Sequence, residues 1–224
     1  MDAIINTLRD IRAHKDILDI LHGHLPLSFI NAVFNHMQSN EEDNYDHIYL
    51  KNYLKVVDRI IKAGAFEVHD KRLCYALACL MEAGRPLTKD YPYEVVMGVA
   101  WGLLRGYASE LFDADDIYFI SKSCKPVTPV SLRPSVYTKI ILVCYEANHL
   151  AQVVGQNHRL LYLTFISKES PYATSAELDK KFLERYGEDG TLWDLVSDET
   201  LELFESEISK FKSGLTKVVS DYTS

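Results

Sequence analysis

The chain has 224 residues, 47% hydrophobic and 25% charged, enough apolar material for a buried core and too much for a mainly disordered chain. No apolar run approaches the ~20 residues of a membrane-spanning helix, and the first ten residues lack the basic start and cleavage site of a secretory leader, so the cytoplasm is the expected compartment. The net charge of −8 is concentrated: Glu188 to Glu207 holds eight acids and neither Lys nor Arg, which argues against nucleic-acid binding through that surface.

Helical punctuation recurs along the chain. Ile4, Leu8, Ile11, Leu18 and Leu21 predict a helix over residues 3–21, closed by His22-Gly23. Phe29, Ile30, Val33, Phe34 and Met37 predict a second over about 28–38, followed by a polar loop over 39–44. Asp46 stands where an N-cap belongs, ahead of Leu50, Tyr53, Leu54, Val57 and Ile61, with Gly64 as the stop. Asp70 reads as the cap of the next helix, through Leu73, Leu77 and Leu80 to Gly84. Pro92 suits the first turn of a helix through Trp101 and Leu104, and Asp113 precedes another through Ile117 and Ile120. Pro126, Pro129 and Pro134 make 124–134 a loop, after which Ser135 opens a long apolar helix to about Val154, ended by Gly155. Arg159 to Ile166 fits a buried helix or the only strand. Thr174 and Glu177 fit a capping box before Leu178, Phe182 and Leu183. From about Asp198 one long final helix is expected, with Leu201, Phe204, Ile208, Phe211, Leu215 and Val218 along its stripe. The expected fold is all-α.

Cys74, Cys79, Cys124 and Cys144 show no C-x-x-C spacing and read as buried free thiols. His22-Gly23-His24 has chelating residues but sits in a helix-ending turn, which explains it without a metal. Tyr91, Tyr93, Trp101, Tyr107, Tyr118, Tyr137 and Tyr145 read as core at helical spacing, with a base-stacking pocket as the sharper alternative. The phosphate-binding and serine-nucleophile motifs G-x-x-x-x-G-K-[ST], G-x-G-x-x-G and G-x-S-x-G are missing.

Four short stretches carry a family pattern: Asp46-His47-Ile48, the run Ala76 to Arg85 (A-L-A-C-L-M-E-A-G-R), Pro92-Tyr93-Glu94, and Ala147-Asn148-His149-Leu150. Over Asp46 to Gly155 their order and spacing resemble the core of the HD superfamily of metal-dependent phosphohydrolases. In that family a His opens one helix, a His-Asp pair ends the next, and an Asp in A-D-x-L lies on a later helix; together they hold divalent cations that activate water. The resemblance aligns His47 with the opening His, Met81-Glu82 with the pair, Asn148 with the last Asp, and Glu94 with the Glu of a G-H-E pattern. A thioether does not replace imidazole for a hard cation, and an amide is a weaker ligand than a carboxylate. The literal His69-Asp70 precedes a helix where the family pair ends one.

The resemblance therefore implies an HD-like core over 46–166, with an N-terminal helical extension over 1–45 and an acidic C-terminal helical subdomain over 167–224. The implied protein is a pseudoenzyme without metal or other cofactor, binding a protein partner or a nucleotide in a vestigial pocket of His47, Met81, Glu82, Glu94 and Asn148. One alternative is a divalent-metal phosphohydrolase acting on nucleotides, with further ligands joining His47 and Glu82. Another is an acidic inhibitor whose Glu188 to Glu207 surface mimics nucleic acid. The final helix is expected to dock on its own domain or to self-associate, and its acidic face, Glu199, Glu202 and Glu205, is the expected partner surface. No membrane contact is expected.

Overall fold

The computed structural model describes residues 14–39, 47–84, 92–124, 136–155, 158–167 and 172–223. All regular structure among the described residues is helical, so the fold is all-α. Residues 14–21 form α1, followed by α2 (Leu27–Ser39), α3 (His47–Ala63), α4 (Val68–Gly84), α5 (Tyr93–Tyr107), α6 (Ala114–Ser123) and α7 (Val136–Leu150). Then come α8 (His158–Ile166), α9 (Ser175–Tyr186), a 3-10 turn at Trp193–Leu195, α10 (Asp198–Leu203) and α11 (Glu205–Thr223). The chain forms two compact units, Met1–Tyr145 and Glu146–Ser224, and the division falls within α7.

The first unit is organised around α4, which packs against α2, α3, α5 and α6. Every side chain from Leu73 to Leu80 is buried, the signature of a helix covered on all sides. Ala76, Ala78 and Ala83 keep its surface low, so neighbouring helices can approach closely. All four cysteines are free and buried, Cys74 and Cys79 on α4, Cys144 on α7 and Cys124 at the end of α6. Burial pushes the Cys79 and Cys144 thiols up to about 12, so neither is a nucleophile at neutral pH.

Local chemistry explains most boundaries. Gly23, at φ 79°, supplies the left-handed residue that ends α1, and the His24 and Leu25 amides both return to the Leu21 carbonyl. Gly64 follows α3 without a positive φ; a Cβ there would lie 2.6 Å from the Phe66 ring. Ser39, the first residue of the expected polar loop, is the last of α2, and the loop's remaining residues 40–44, the expected caps Asp46 and Ser135 and the proline-rich 125–134 lie outside the described residues.

Two capping assignments change. Asp70 does not cap α4, because the helix already begins at Val68; its carboxylate instead reaches back to the Glu67 amide (3.4 Å). Pro92 is the N-cap of α5, one residue before the first turn. Asp113 does cap α6, in a reciprocal box with Asp116. The aromatic-rich middle is also not core. Trp101, Tyr107 and Tyr118 are exposed, Tyr93, Tyr137 and Tyr145 are half-buried, and Tyr91 is not described.

In the second unit α11 packs against α8, α9 and α10. The ambiguous segment from Arg159 is helical, within α8. Thr174 and Glu177 make the expected capping box at the start of α9. Phe182, fully buried, meets Tyr162, Phe165 and Tyr186 at ring-centroid distances of 4.9–5.3 Å. Phe211 and Trp193 extend this cluster. After α9 the chain turns so tightly that a Cβ on Gly187 would sit 2.4 Å from the Leu183 carbonyl oxygen. The Trp193 indole then donates to the Gly187 carbonyl (2.7 Å) and locks the turn.

Two helices are shorter than their apolar pattern. The helix from Val136 stops at Leu150, and turns carry the chain to Gly155 (φ 73°). The expected single final helix is interrupted at Phe204 (φ −114°, ψ 14°), which caps α10. Phe204, Ile208, Phe211 and Leu215 are buried within the unit all the same, so the stripe docks on its own fold despite the break. Val218 lies beyond the described side chains.

Candidate functional site

The residues singled out by the HD resemblance fall in different surroundings. His47 is the first residue of α3, and its side chain lies outside the described set. Met81 and Glu82 lie in the last turn of α4. Met81 is half-buried, more accessible than its neighbours Leu77 and Leu80, while Glu82 is only 3% exposed. Glu94 is exposed in the first turn of α5, where a negative charge favours the helix N-terminus. Asn148 is half-buried, on the part of α7 that belongs to the second unit.

The most informative contact at Met81 is made by a residue that the pattern did not single out. Tyr53, on α3, is fully buried, and its hydroxyl donates to the Cys144 carbonyl on α7 (3.0 Å). The Met81 sulfur lies 3.5 Å from the Tyr53 hydroxyl oxygen. One phenol thus ties α3, α4 and α7 together inside the first unit. Burial raises the Tyr53 hydroxyl well above its ordinary pKa, so it stays a neutral donor. Glu82 lies near enough to add to that upward shift and to that of Cys79.

The Met81 sulfur and the Tyr53 phenol are themselves poorly suited to a catalytic divalent cation. A thioether beside a neutral phenol offers a hard ion no charge and a poor ligand atom. Among the described residues, no group of three or more His, Cys, Asp and Glu side chains is placed to hold a metal.

A second polar cluster was not foreseen. Asp116, buried at the start of α6, accepts from the Tyr137 hydroxyl (3.2 Å) and from the Asp113 amide (3.3 Å). His69 Nε2 lies 3.0 Å from Oδ2, the oxygen that also accepts from the Asp113 amide, and bridges α4 to α6. The carboxylate fixes one ring nitrogen of a half-exposed imidazole, an arrangement that also orients general bases. The cluster joins α4, α6 and α7. His69-Asp70 is therefore resolved into two local roles: His69 pairs with Asp116, and Asp70 serves the first turn of α4.

A polar groove of about 380 Å³ is bordered by Asp16, Asp19, His22, His24, Lys55, Asp58 and Lys62. Its charges are largely satisfied by one another. Lys62 and the Tyr75 hydroxyl both reach Asp58 (2.7 Å each), and Lys55 reaches Asp16 (3.4 Å). His24 packs its ring on Tyr75 and buries Nδ1 without a hydrogen-bond partner, and burial lowers its pKa. Neither His22 nor His24 belongs to a metal-competent group.

The histidines near Asn148 have structural roles. His158 hydrogen-bonds the Phe211 carbonyl (2.8 Å) and stacks on the Phe211 ring, over Gly214, where a Cβ would strike the imidazole at 2.5 Å. His149 is half-buried, and burial, followed by the Arg185 guanidinium, pushes its imidazole down to about 4. An unfolded histidine takes up its proton near pH 6.5, so between about 6.5 and 4 the unfolded state binds the extra proton and stability falls as pH falls. A His149→Gln variant is expected to show a flatter loss of urea resistance between pH 7 and 4.5 than the parent. Equal slopes would mean that His149 is not the group responsible. His36, also lowered by burial, contributes to the slope that remains.

On the acidic face, Glu199, Glu202 and Glu205 are exposed. The helix break changes their meaning. Asp198 and Glu199 occupy the first turn of α10, and Glu205 and Glu207 the first turn of α11, where acids stabilise the helix dipole. Only Glu202 lacks such a local role. Glu146 adds a further acid at the start of α10, accepting from the Ser197 amide and hydroxyl (3.2 Å each) and from the Thr200 hydroxyl (2.6 Å). No family model, curated protein or solved structure matches the chain.

Proposed function

We propose that the chain is a non-catalytic HD-like helical protein that works by binding, of a protein partner or of a nucleotide. The reading is supported chiefly by Met81. At the position the resemblance assigns to a metal-binding His, a thioether lies against a buried phenol whose proton is already committed to the Cys144 carbonyl. Helix-to-helix connection that a cation would supply in the family is supplied here by hydrogen bonding and packing. Catalysis through an activated water has no support in such a set, whereas recognition needs only a stable surface.

The test is a screen of nucleoside mono-, di- and triphosphates with Mg²⁺ or Mn²⁺, following released phosphate and thermal shift in parallel. Binding without turnover, or neither, is the expected result. Metal-dependent phosphate release that is lost in His47→Ala would instead establish the phosphohydrolase alternative.

A further inference from the structure

The solvent side of α5 has an unusual composition. Val96, Ala100 and Leu104 are buried on one side of this helix, which packs against α2, α4 and α6. At 100° per residue the opposite side carries Glu94, Gly98, Trp101, Gly102, Arg105 and Gly106, and all six are exposed. Glycine is a poor helix former, and packing among the described residues does not require these three: a Cβ on any of them would meet none of those residues within 4 Å. Trp101, one of only two tryptophans, is 37% exposed beside this open channel.

The charges say what fits there. Glu94 and Arg105 lie on the same line of the helix, three turns and about 16 Å apart, and neither has an ion-pair partner among the described residues. A copy of α5 laid antiparallel across the midpoint sets Glu94 of each chain against Arg105 of the other. The same midpoint relates Gly98 to Trp101, so each indole would enter the gap left by the other chain's glycine. A parallel pairing would instead oppose like charges.

We propose that α5 is a self-association surface, on which a second copy of this chain docks antiparallel about a two-fold axis between Val99 and Ala100. The interface is isologous, with one surface used twice. A single helix pair lies at the small end of specific interfaces, below about 1,200 Å² in total, so dissociation in the micromolar range is expected.

Sedimentation of the full chain from about 5 to 500 µM is expected to show a monomer–dimer equilibrium, with Trp101 emission shifting to the blue as concentration rises. Trp193 is buried and gives a constant background. Arg105→Glu should weaken the dimer at least about tenfold, and Glu94→Arg with Arg105→Glu should restore it. Gly98→Leu should abolish the dimer while leaving the thermal midpoint of the monomer unchanged or raised, since the leucine has open space in the free chain. A monomer throughout that range overturns the proposal, even if a different protein is found on this face. So does a dimer indifferent to Arg105→Glu and Gly98→Leu, or one that the charge exchange fails to restore.

Discussion

Tyr53→Ala is expected to lower the unfolding free energy by about 3–5 kcal/mol, the range for deleting a large buried aromatic. Tyr53 is completely buried, so the ring's removal leaves a cavity among α3, α4 and α7 as well as breaking the link to Cys144. Tyr53→Phe separates the two contributions. It keeps the ring and removes one hydrogen bond, for about 1 kcal/mol, because the Cys144 carbonyl still has its helical partner. Urea unfolding of the three proteins is the check. A Tyr53→Ala cost under about 1 kcal/mol would contradict the burial on which the junction rests.

Phe182→Ala is expected to have a comparable effect in the second unit, again about 3–5 kcal/mol. Phe182 meets three aromatic rings, with a perpendicular edge contact from Tyr162, and area burial is reinforced by those ring geometries. Phe182→Leu should recover part of the loss by refilling the space without restoring the edge contacts. Near-ultraviolet circular dichroism should weaken in both variants, since Tyr162 and Tyr186 lose their asymmetric surroundings. An Ala variant with parental stability and spectrum would show that the cluster is not packed as described.

Helix existence was readable for most described segments, the 159–166 stretch of α8 excepted, because apolar residues at three- and four-residue steps have few other uses. Local punctuation was readable where one residue acts on its near neighbours, as with Gly23, Asp113 and the Thr174–Glu177 box. What escaped the sequence depended on tertiary partners. Asp116 meets His69 from a different helix, and nothing in either segment announces the pairing. The break at Phe204 was hidden because the apolar stripe continues through it, the interrupted chain still facing the same core.

The exposed aromatics show the same limit from the other side. Trp101 and Tyr107 sit at helical spacing, and periodicity alone does not say which face of α5 is covered. Gly98, Gly102 and Gly106 were the available signal, since three glycines in one helix are costly unless something approaches closely. For the candidate site, the sequence located Met81 and Glu82 at the end of α4, as observed. It could not reveal Tyr53, whose hydroxyl gains its meaning only from the carbonyl it meets on α7.

The central proposal, that α3, α4 and α7 are joined by hydrogen bonding and packing instead of by a metal, is tested most directly by the metal content of the purified full chain, measured by inductively coupled plasma mass spectrometry. The expected result is far less than one equivalent of Mn, Fe, Co or Zn per chain, unchanged in His47→Ala. One equivalent that survives gel filtration and disappears in His47→Ala would contradict it.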